Sequence, residues 1–364
     1  MDIEGLLARN AESVNHIYAA KKKFYLRNGV LAESNSKILI GHFSDIHADK
    51  ERFENLIKCF EYFNVAFAIH TGDTVIWDMR EDVSFFKDMT KDSPVPFYNC
   101  IGNHETFRDT VPVKNKELYE KLLTNQKDVC SESDGGYYYV DFPKYGIRLI
   151  TLNNYEFDDT DVTRTREAYN ILQPQCEWLI AALKDAKDKG YGVIIASHEA
   201  DIPIPENCND FGFCQRYQPY PWSIPKEHEH IVADIIDAFK YGKKLDIDFT
   251  WESTGAHVSI KDEFEGSGEF ICYLNGHRHG DYVGHLPGFP DQLSIGMPCS
   301  GCYPEGYHNI GEEISDLPRV PNTVTEDCIN FYSIDREERT IAIVRLGATV
   351  NDEFETRRSL KLKY

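Results

Sequence analysis

The sequence predicts an α/β fold in which helices pack on a mainly parallel sheet. Short apolar segments, typical of buried strands, alternate with amphipathic helical segments at a spacing of about 30 residues, which indicates βαβ units. The 364-residue chain is 41% hydrophobic and 13% aromatic, so it can bury a large core. Several of the predicted strands also end in polar clusters, and the carboxyl ends of strands are where open α/β sheets bind ligands.

The N-terminal part of the predicted fold alternates strands with helices. Each strand is a short apolar run that stops at a polar turn. The predicted strands are Lys37–Ser44, Val65–His70 and Phe97–Ile101, and the predicted helices are Lys50–Phe63 and residues 79–90.

The middle of the chain continues this pattern. Tyr137–Asp141 and Ile147–Leu152 are predicted as paired strands around a Pro-Lys-Tyr-Gly turn. Gln173–Lys189 has the apolar spacing of a helix, and Gly190 provides a stop signal. Gly192–Ser197 follows as another buried strand.

The remaining segments are predicted with one long insertion. Residues 200–230 concentrate proline, cysteine and aromatic residues, which indicates a long loop over one face of the sheet that serves as a lid or as the wall of a substrate site. His228–Lys243 is predicted as a helix, and the apolar run that begins at Ile271 as a strand. Ile329–Ile334 and Thr340–Leu346 are predicted as a C-terminal hairpin.

Charge and hydropathy exclude several classes of function. The formal net charge is −21, which disfavours a nucleic-acid partner because such proteins need cationic surface to displace counterions. No apolar run approaches the roughly 18 residues that span a bilayer, so we expect no membrane partner. The N-terminus has no apolar core of a secretory signal. These features predict a cytoplasmic protein, and they do not indicate an oligomeric state.

The ten cysteines are predicted to be thiols, because disulfides are rare in proteins without a secretory signal. Two pairs are close in sequence, Cys299 with Cys302 and Cys208 with Cys214. They fit either of two interpretations, small apolar side chains in the core or a structural zinc or redox pair.

Five polar clusters follow five of the predicted strands. In a sheet of parallel strands these ends meet at one edge, so we expect the clusters to converge although they are far apart in sequence. The clusters are Ser44–His47, Gly72–Asp73, Gly102–Glu105, Ser197–His198 and Gly276–His279.

The residue types in these clusters are those that bind metal ions. Mixed imidazole and carboxylate ligands suit divalent Mn, Zn and Fe, and the absence of cysteine from the clusters excludes a thiolate zinc site. Seven ligands are too many for one tetrahedral ion, but they suit two ions that share a carboxylate. The candidate ligands are Asp45, His47, Asp73, Asn103, His198, His277 and His279.

The order of these motifs, DxH, GD, GNHE, H and GHxH, resembles the calcineurin-like metallophosphoesterase superfamily from about Ile38 to His279. The resemblance implies a four-layer α/β/β/α sandwich of two packed mixed sheets flanked by helices, with the active site at the carboxyl edge of the strands. It further implies a phosphoesterase domain over residues 37–350 with the insertion at about 200–230. Residues 1–36 are then an N-terminal extension and residues 351–364 a C-terminal tail.

The resemblance also assigns ligands to two divalent metal ions, of Mn, Zn or Fe, with a hydroxide between them as the nucleophile. Asp73 would bridge the two ions, and His277 and His279 would reach different ions from one extended turn. The first ion would be held by Asp45, His47, Asp73 and His279. The second ion would be held by Asp73, Asn103, His198 and His277.

The catalytic residue that the resemblance implies is His104, which would face the phosphate and protonate the leaving oxygen or stabilise the transition state. Glu105 is expected to orient His104. Ile76 stands where ferric phosphatases of the group have a tyrosine, which disfavours an iron(III)–zinc pair.

The function implied by the resemblance is metal-dependent hydrolysis of phosphate esters, with a small phosphorylated molecule as the substrate. Whether that substrate is a monoester or a diester stays open. Two alternatives are also open, a nuclease of the same superfamily and a non-catalytic metal-binding scaffold. The acidic chain disfavours the nuclease. The presence of every ligand and of His104 disfavours the scaffold.

Overall fold

The computed structural model describes residues 3–21, 25–27, 30–32, 37–75, 84–108, 111–112, 124–126, 128–130, 135–156, 170–199, 230–251, 255–277, 279, 282–286, 288–301, 320, 322–349 and 358–364. Outside these residues lie positions 200–229 of the insertion predicted at 200–230, which include Cys208 and Cys214, and also Cys302 and Ile76.

One six-stranded sheet, sheet A, combines parallel and antiparallel strands. Its first three strands in the chain are parallel to one another, and the three C-terminal strands extend it in antiparallel order. In spatial order the strands are β18 (Ser359–Lys363), β17 (Thr340–Gly347), β16 (Cys328–Asp335), β3 (Lys37–Phe43), β4 (Ala68–His70) and β5 (Phe97–Asn99).

A second six-stranded sheet, sheet B, is also mixed. Its four central strands are parallel and an antiparallel strand closes each edge. In spatial order the strands are β14 (Tyr282–Leu286), β15 (Phe289–Gly296), β13 (Glu269–Asn275), β10 (Gly192–Ala196), β9 (Ile147–Thr151) and β8 (Tyr138–Phe142).

The other described elements are helices and two-stranded hairpins. The hairpins pair β1 (Tyr25–Arg27) with β2 (Val30–Ala32), β6 (Phe107–Arg108) with β7 (Val111–Pro112), and β11 (Lys244–Thr250) with β12 (His257–Glu263). The helices are α1 (Ile3–Arg9), α2 (Ala11–Lys21), α3 (Lys50–Phe63), α4 (Phe85–Thr90), α5 (Gln173–Asp188) and α6 (Ile231–Tyr241), and Asn103–Glu105 forms a 3₁₀ turn. In the described part of the chain, no helix has both the length and the hydropathy to cross a bilayer.

The side chains of β10 alternate between two cores, and this alternation shows how the sheets and helices are layered. Ile194 and Ala196 pack in the core between the two sheets, whereas Val193 and Ile195 pack beneath α5 and α6. Successive side chains of a strand point to opposite faces, so a strand buried on both faces reads as the continuous apolar run seen in the sequence. The two mixed sheets with flanking helices confirm the predicted fold class.

Helix α3 covers the outer face of sheet A and begins and ends where the sequence predicts. The Asp49 side chain accepts a hydrogen bond from the Arg52 amide at the start, and Asn64 ends the helix in the left-handed conformation with φ of 49°. Phe60 packs directly on Gly41 of β3, where a Cβ atom would lie 2.2 Å from its ring. Only glycine at that position lets the helix approach the sheet this closely.

The observed ends of some elements differ from the predicted ones. Strand β4 begins at Ala68 rather than Val65, because the amide of Val65 still bonds to the end of α3 at Phe60. Helix α6 starts after His230 and ends before Gly242, which takes the left-handed conformation with φ of 63°. Within predicted residues 79–90, the described helix covers Phe85–Thr90.

Candidate metal centre

The carboxyl ends of both sheets meet at one edge of the molecule. Strands β3, β4 and β5 run parallel in sheet A, and β9, β10 and β13 run parallel in sheet B. Hydrogen bonds join the two sets of strand ends: His198 Nδ1 donates to the Thr71 carbonyl at 2.6 Å, and the His277 amide donates to Asp45 Oδ2 at 3.1 Å. The five polar clusters therefore converge, as the sequence predicts.

The first donor group contains Asp45, His47, Asp73 and His279, whose ligand atoms lie within 4.8 Å of one another. His279 Nε2 is 3.1 Å from His47 Nε2 and 3.1 Å from Asp45 Oδ1. His47 Nδ1 donates to the Val75 carbonyl, which directs its Nε2 toward the group. These atoms are close enough to hold a single ion.

The second donor group contains Asp73, His198 and His277, again within 4.8 Å of one another. Asp73 Oδ2 lies 3.1 Å from His198 Nε2. Asn103 Oδ1 lies 3.1 Å from His198 Nε2 and 3.2 Å from His277 Nδ1, so it joins the same group. Asp73 belongs to both groups, which places two potential ion sites side by side.

The backbone at these positions is strained. Five of the seven candidate ligands have left-handed φ values, an unfavourable conformation for residues other than glycine that is concentrated at functional sites. They are Asp45 at 53°, His47 at 49°, Asp73 at 57°, His277 at 65° and His279 at 52°. The predicted extended turn at His277–His279 is therefore wrong. His277 and His279 both have left-handed backbone, and their imidazoles lie in different donor groups.

The glycine before His277 allows the loops of the two sheets to touch. A Cβ atom at Gly276 would lie 1.8 Å from Ser44 Oγ and 2.5 Å from Asp45 Oδ2. The His277 amide donates to Asp45 Oδ2 at 3.1 Å, so the Asp45 carboxylate is held by the loop from the other sheet. The glycine in the GHxH motif thus serves close packing of the site.

The charges in the centre favour a bound cation. Burial opposes ionisation of Asp45, but neighbouring His279 outweighs it and holds the pKa of that carboxyl far below its usual range. Burial likewise opposes charge on His198, yet Asp73 raises the pKa of this histidine to about 10. Buried carboxylates of this kind need positive charge beside them, and in a metalloprotein the metal displaces the proton.

The surroundings of the Asn103 side-chain amide show independently whether this site fits a metal ion. Its oxygen faces only acceptor atoms, and turning the amide over would let its nitrogen donate to His198, His277 and Asp73. An oxygen surrounded by acceptors is expected where a cation lies among them. The residues present therefore fit a pair of divalent ions.

His104 lies at the rim of both groups, on the 3₁₀ turn after β5. Its amide donates to Asp73 Oδ1 at 3.0 Å, and its Nε2 is 3.7 Å from Asp73 Oδ2. Its ring lies against that of His47, with 4.9 Å between centroids. This position allows the imidazole to reach a molecule bound beside the two donor groups.

Glu105 does not orient His104, contrary to expectation. The 3₁₀ turn folds its side chain back, and the carboxylate accepts hydrogen bonds from the amides of Gly102 at 2.6 Å and of Asp73, Thr74 and Val75 at 3.0, 2.6 and 3.1 Å. Burial raises the pKa of this carboxyl to about 7. Glu105 thus ties the loop that carries Asp73 to the loop that carries Asn103.

Sequence reasoning missed a sixth strand end at this edge. After β9, Asn154 Oδ1 accepts from the Glu199 amide at 3.1 Å, and the Tyr155 hydroxyl donates to Glu199 Oε2 at 3.1 Å. Tyr155 and Glu199 are buried. The signal was present in the sequence, because Asn153, Asn154 and Tyr155 follow an apolar strand as the other clusters do.

Cys299 was also missed as a neighbour of the centre. Its thiol donates to the Asp45 carbonyl at 2.9 Å, and its sulfur lies within 4.8 Å of ligand nitrogens of His47 and His279. This buried thiol therefore packs against the first donor group.

Comparison with known proteins agrees with these observations. A family model described as calcineurin-like phosphoesterase matches residues 38–222, about half of the chain. No curated protein matches the chain. Among solved structures, a dimetal phosphatase from Danio rerio is 12% identical, covers 90% of this chain and 99% of its own, and superposes with a TM-score of 0.53, which supports the fold.

Weaker structural similarities have lower TM-scores. GAP50, described as the anchor in the inner membrane complex of Plasmodium, is 10% identical over 90% of this chain and 89% of its own, with a TM-score of 0.46. A predicted phosphoesterase from Streptococcus pneumoniae is 10% identical over 92% of this chain and 100% of its own, with a TM-score of 0.35.

Proposed function

The chain belongs to the calcineurin-like phosphoesterase family, as its motif order predicts, and from this premise we propose that it hydrolyses small phosphate monoesters or diesters at a dinuclear metal centre. Membership makes it a hydrolase of ester bonds, with metal-dependent phosphoester hydrolysis as the general reaction. The observation that supports the dinuclear centre most directly is that two donor groups share one buried carboxylate, Asp73.

We propose that the two donor groups bind the two ions. Asp45, His47, Asp73 and His279 would hold the first ion, and Asp73, Asn103, His198 and His277 the second. His47 and His198 each use one ring nitrogen to donate to a backbone carbonyl, which leaves the other nitrogen directed at the donor group.

The chain's own contribution to the reaction is orientation and proton transfer. When bound, two adjacent divalent ions lower the pKa of water and neutralise charge on the phosphoryl oxygens. His104 would contact the phosphoryl group or the leaving oxygen, where its imidazole can donate a hydrogen bond or a proton. The hydrogen bond from the His104 amide to Asp73 Oδ1 holds the backbone of residue 104 beside the shared carboxylate.

The decisive experiment combines metal analysis with generic ester substrates. Protein reconstituted with Mn²⁺, Zn²⁺ or Fe²⁺ is assayed with p-nitrophenyl phosphate and its bis ester, and bound metal is counted by mass spectrometry. We expect two ions per chain and metal-dependent turnover, with His198→Ala as the control for contaminating phosphatase. Two bound ions without turnover of either ester would support a scaffold instead, and absence of bound metal would overturn the centre itself.

A further inference from the structure

A buried carboxylate lies directly behind one of the proposed ligands. Glu199 follows His198 at the end of β10, and its Oε2 is 3.8 Å from His277 Nε2. The Glu199 side chain is only 4% exposed. Burial of an ionisable group is costly without favourable partners, so the groups that contact this carboxylate indicate what it does.

The two ring nitrogens of His277 face different groups. Nδ1 lies 3.2 Å from Asn103 Oδ1 and 3.2 Å from His198 Nε2, in the second donor group. Nε2 points to Glu199 on the other side of the ring. The imidazole is thus placed between the candidate ion site and the carboxylate.

Glu199 is itself held at two points by the segment that follows β9. The Tyr155 hydroxyl donates to Glu199 Oε2 at 3.1 Å, and the Glu199 amide donates to Asn154 Oδ1 at 3.1 Å. Tyr155 is buried, with 1% of its surface exposed. The Tyr155 hydroxyl therefore orients the carboxylate, and Asn154 holds the backbone that carries it.

We propose that Glu199 is a positioning residue that acts through His277, with Tyr155 fixing Glu199 in turn. The carboxylate accepts the Nε2–H of His277, which leaves the Nδ1 lone pair directed at the second ion and makes it a better donor. The 3.8 Å separation would have to shorten for this hydrogen bond to form, and hydrogen bonds in sites without bound ligand are often long. This inference rests on the proposed function of His277 as a ligand.

The proposal makes a selective prediction for metal affinity. Outer carboxylate partners of a metal-binding histidine change affinity by about 10–100-fold when they are removed. Glu199→Gln should reduce the affinity for the second ion by that factor. The affinity for the first ion should stay almost unchanged, because His279 and not His277 belongs to the first group. Tyr155→Phe should cause a smaller loss in the same direction.

The test is a calorimetric titration of the metal-free full-length protein with Mn²⁺, which resolves two affinities. Glu156→Gln is the matched control, because Glu156 is also a buried carboxylate after β9 but accepts from Leu172 and Gln175 instead. Glu199→Asp tests rescue and should recover part of the affinity. Thermal unfolding of each metal-free variant shows whether the fold is intact.

A double-mutant cycle tests whether Glu199 acts through His277. In a His277→Ala background, Glu199→Gln should cause no further weakening of the second ion, since its target is already gone. Additive losses, equal losses of both ions, or an unchanged second affinity in Glu199→Gln would overturn the proposal. If wild-type protein binds no second ion, the proposed dinuclear centre fails, and this result is distinct from failure of the Glu199 role.

Discussion

His47 Nε2 lies 3.1 Å from His279 Nε2, although 232 residues separate them in the chain. The first follows a strand of sheet A and the second a strand of sheet B. Two imidazole nitrogens at this distance, with Asp45 Oδ1 3.1 Å from one of them, form a preorganised donor set rather than a packing contact. The centre therefore depends on how the two sheets are packed, and both ligand and packing variants test it.

Asp73→Asn should remove the shared charge while preserving the size of the side chain. We expect at most one bound ion and turnover reduced below detection, because only a carboxylate neutralises charge between two cations. Metal content and p-nitrophenyl ester hydrolysis measure this. Asp246→Asn on the exposed β11 strand is the control and should behave as wild type. Two tightly bound ions in Asp73→Asn would contradict the bridging role.

His104→Ala should separate metal binding from chemistry. We expect both ions to stay bound and kcat to fall about 100-fold or more, the usual effect of losing a general acid. The bond from residue 104 to Asp73 Oδ1 comes from the backbone amide and survives the substitution. Wild-type kcat in this variant would show that His104 takes no part in the reaction.

Glu105→Gln should loosen the two loops that the carboxylate joins. A glutamine replaces one acceptor oxygen with a donor, so at least one buried amide such as that of Thr74 or Gly102 loses its partner. We expect stability to fall by about 2 kcal/mol or more, together with weaker metal binding. Chemical denaturation measures the loss, and Glu54→Gln on the exposed face of α3 should have no measurable effect. Unchanged stability in Glu105→Gln would contradict the loop-joining role.

Gly276→Ala should disturb the contact between the two sheets at the centre. The added Cβ atom would overlap Ser44 Oγ and crowd Asp45 Oδ2. We expect the free energy of unfolding to fall by about 1–3 kcal/mol and the first ion to bind more weakly. Adding Ser44→Gly should partly restore both stability and metal affinity. Metal titration with unaltered affinity would show that the loops have more space than the structure indicates.

Glu156 lies outside both donor groups, and we expect it to make the free energy of unfolding depend on pH. Burial raises the pKa of this carboxyl to about 7, above its ordinary value of 4.5, so the folded state binds more protons than the unfolded state in this window. Stability should fall as pH rises from 4.5 to 7, whereas Glu156→Gln lacks this loss. Between pH 5 and 8 the variant should gain on the order of 2 kcal/mol relative to wild type. Chemical denaturation at each pH measures this effect. Parallel plots of unfolding free energy against pH for wild type and Glu156→Gln would contradict it.

Local chemistry made several features predictable. Helix α3 has its observed ends because Asp49 and Asn64 cap it, and both signals are within a few residues of the helix. The candidate site residues were identified because each polar cluster follows an apolar strand, and the parallel order of the strands brings these ends together. The assignment of individual ligands stays a prediction.

Other features could not be predicted from local pattern. The partners of Glu105 depend on a 3₁₀ turn that folds its side chain toward the loop of Asp73. The left-handed backbone at His277 and His279 depends on contacts with sheet A. Glu199 and Cys299 belong to no recognised motif, and their contacts at the centre depend on how the strands are ordered in the two sheets.

By itself the sequence determined the α/β class, the family and the set of polar residues available at the strand ends, because strand and helix periods and short motifs are local properties of the chain. Only the tertiary structure decided that Cys299 packs against the first donor group, that Glu105 joins two loops and that Glu199 faces His277. Those relations depend on the packing of two sheets, and packing is set by contacts between residues far apart in sequence, which no local pattern encodes.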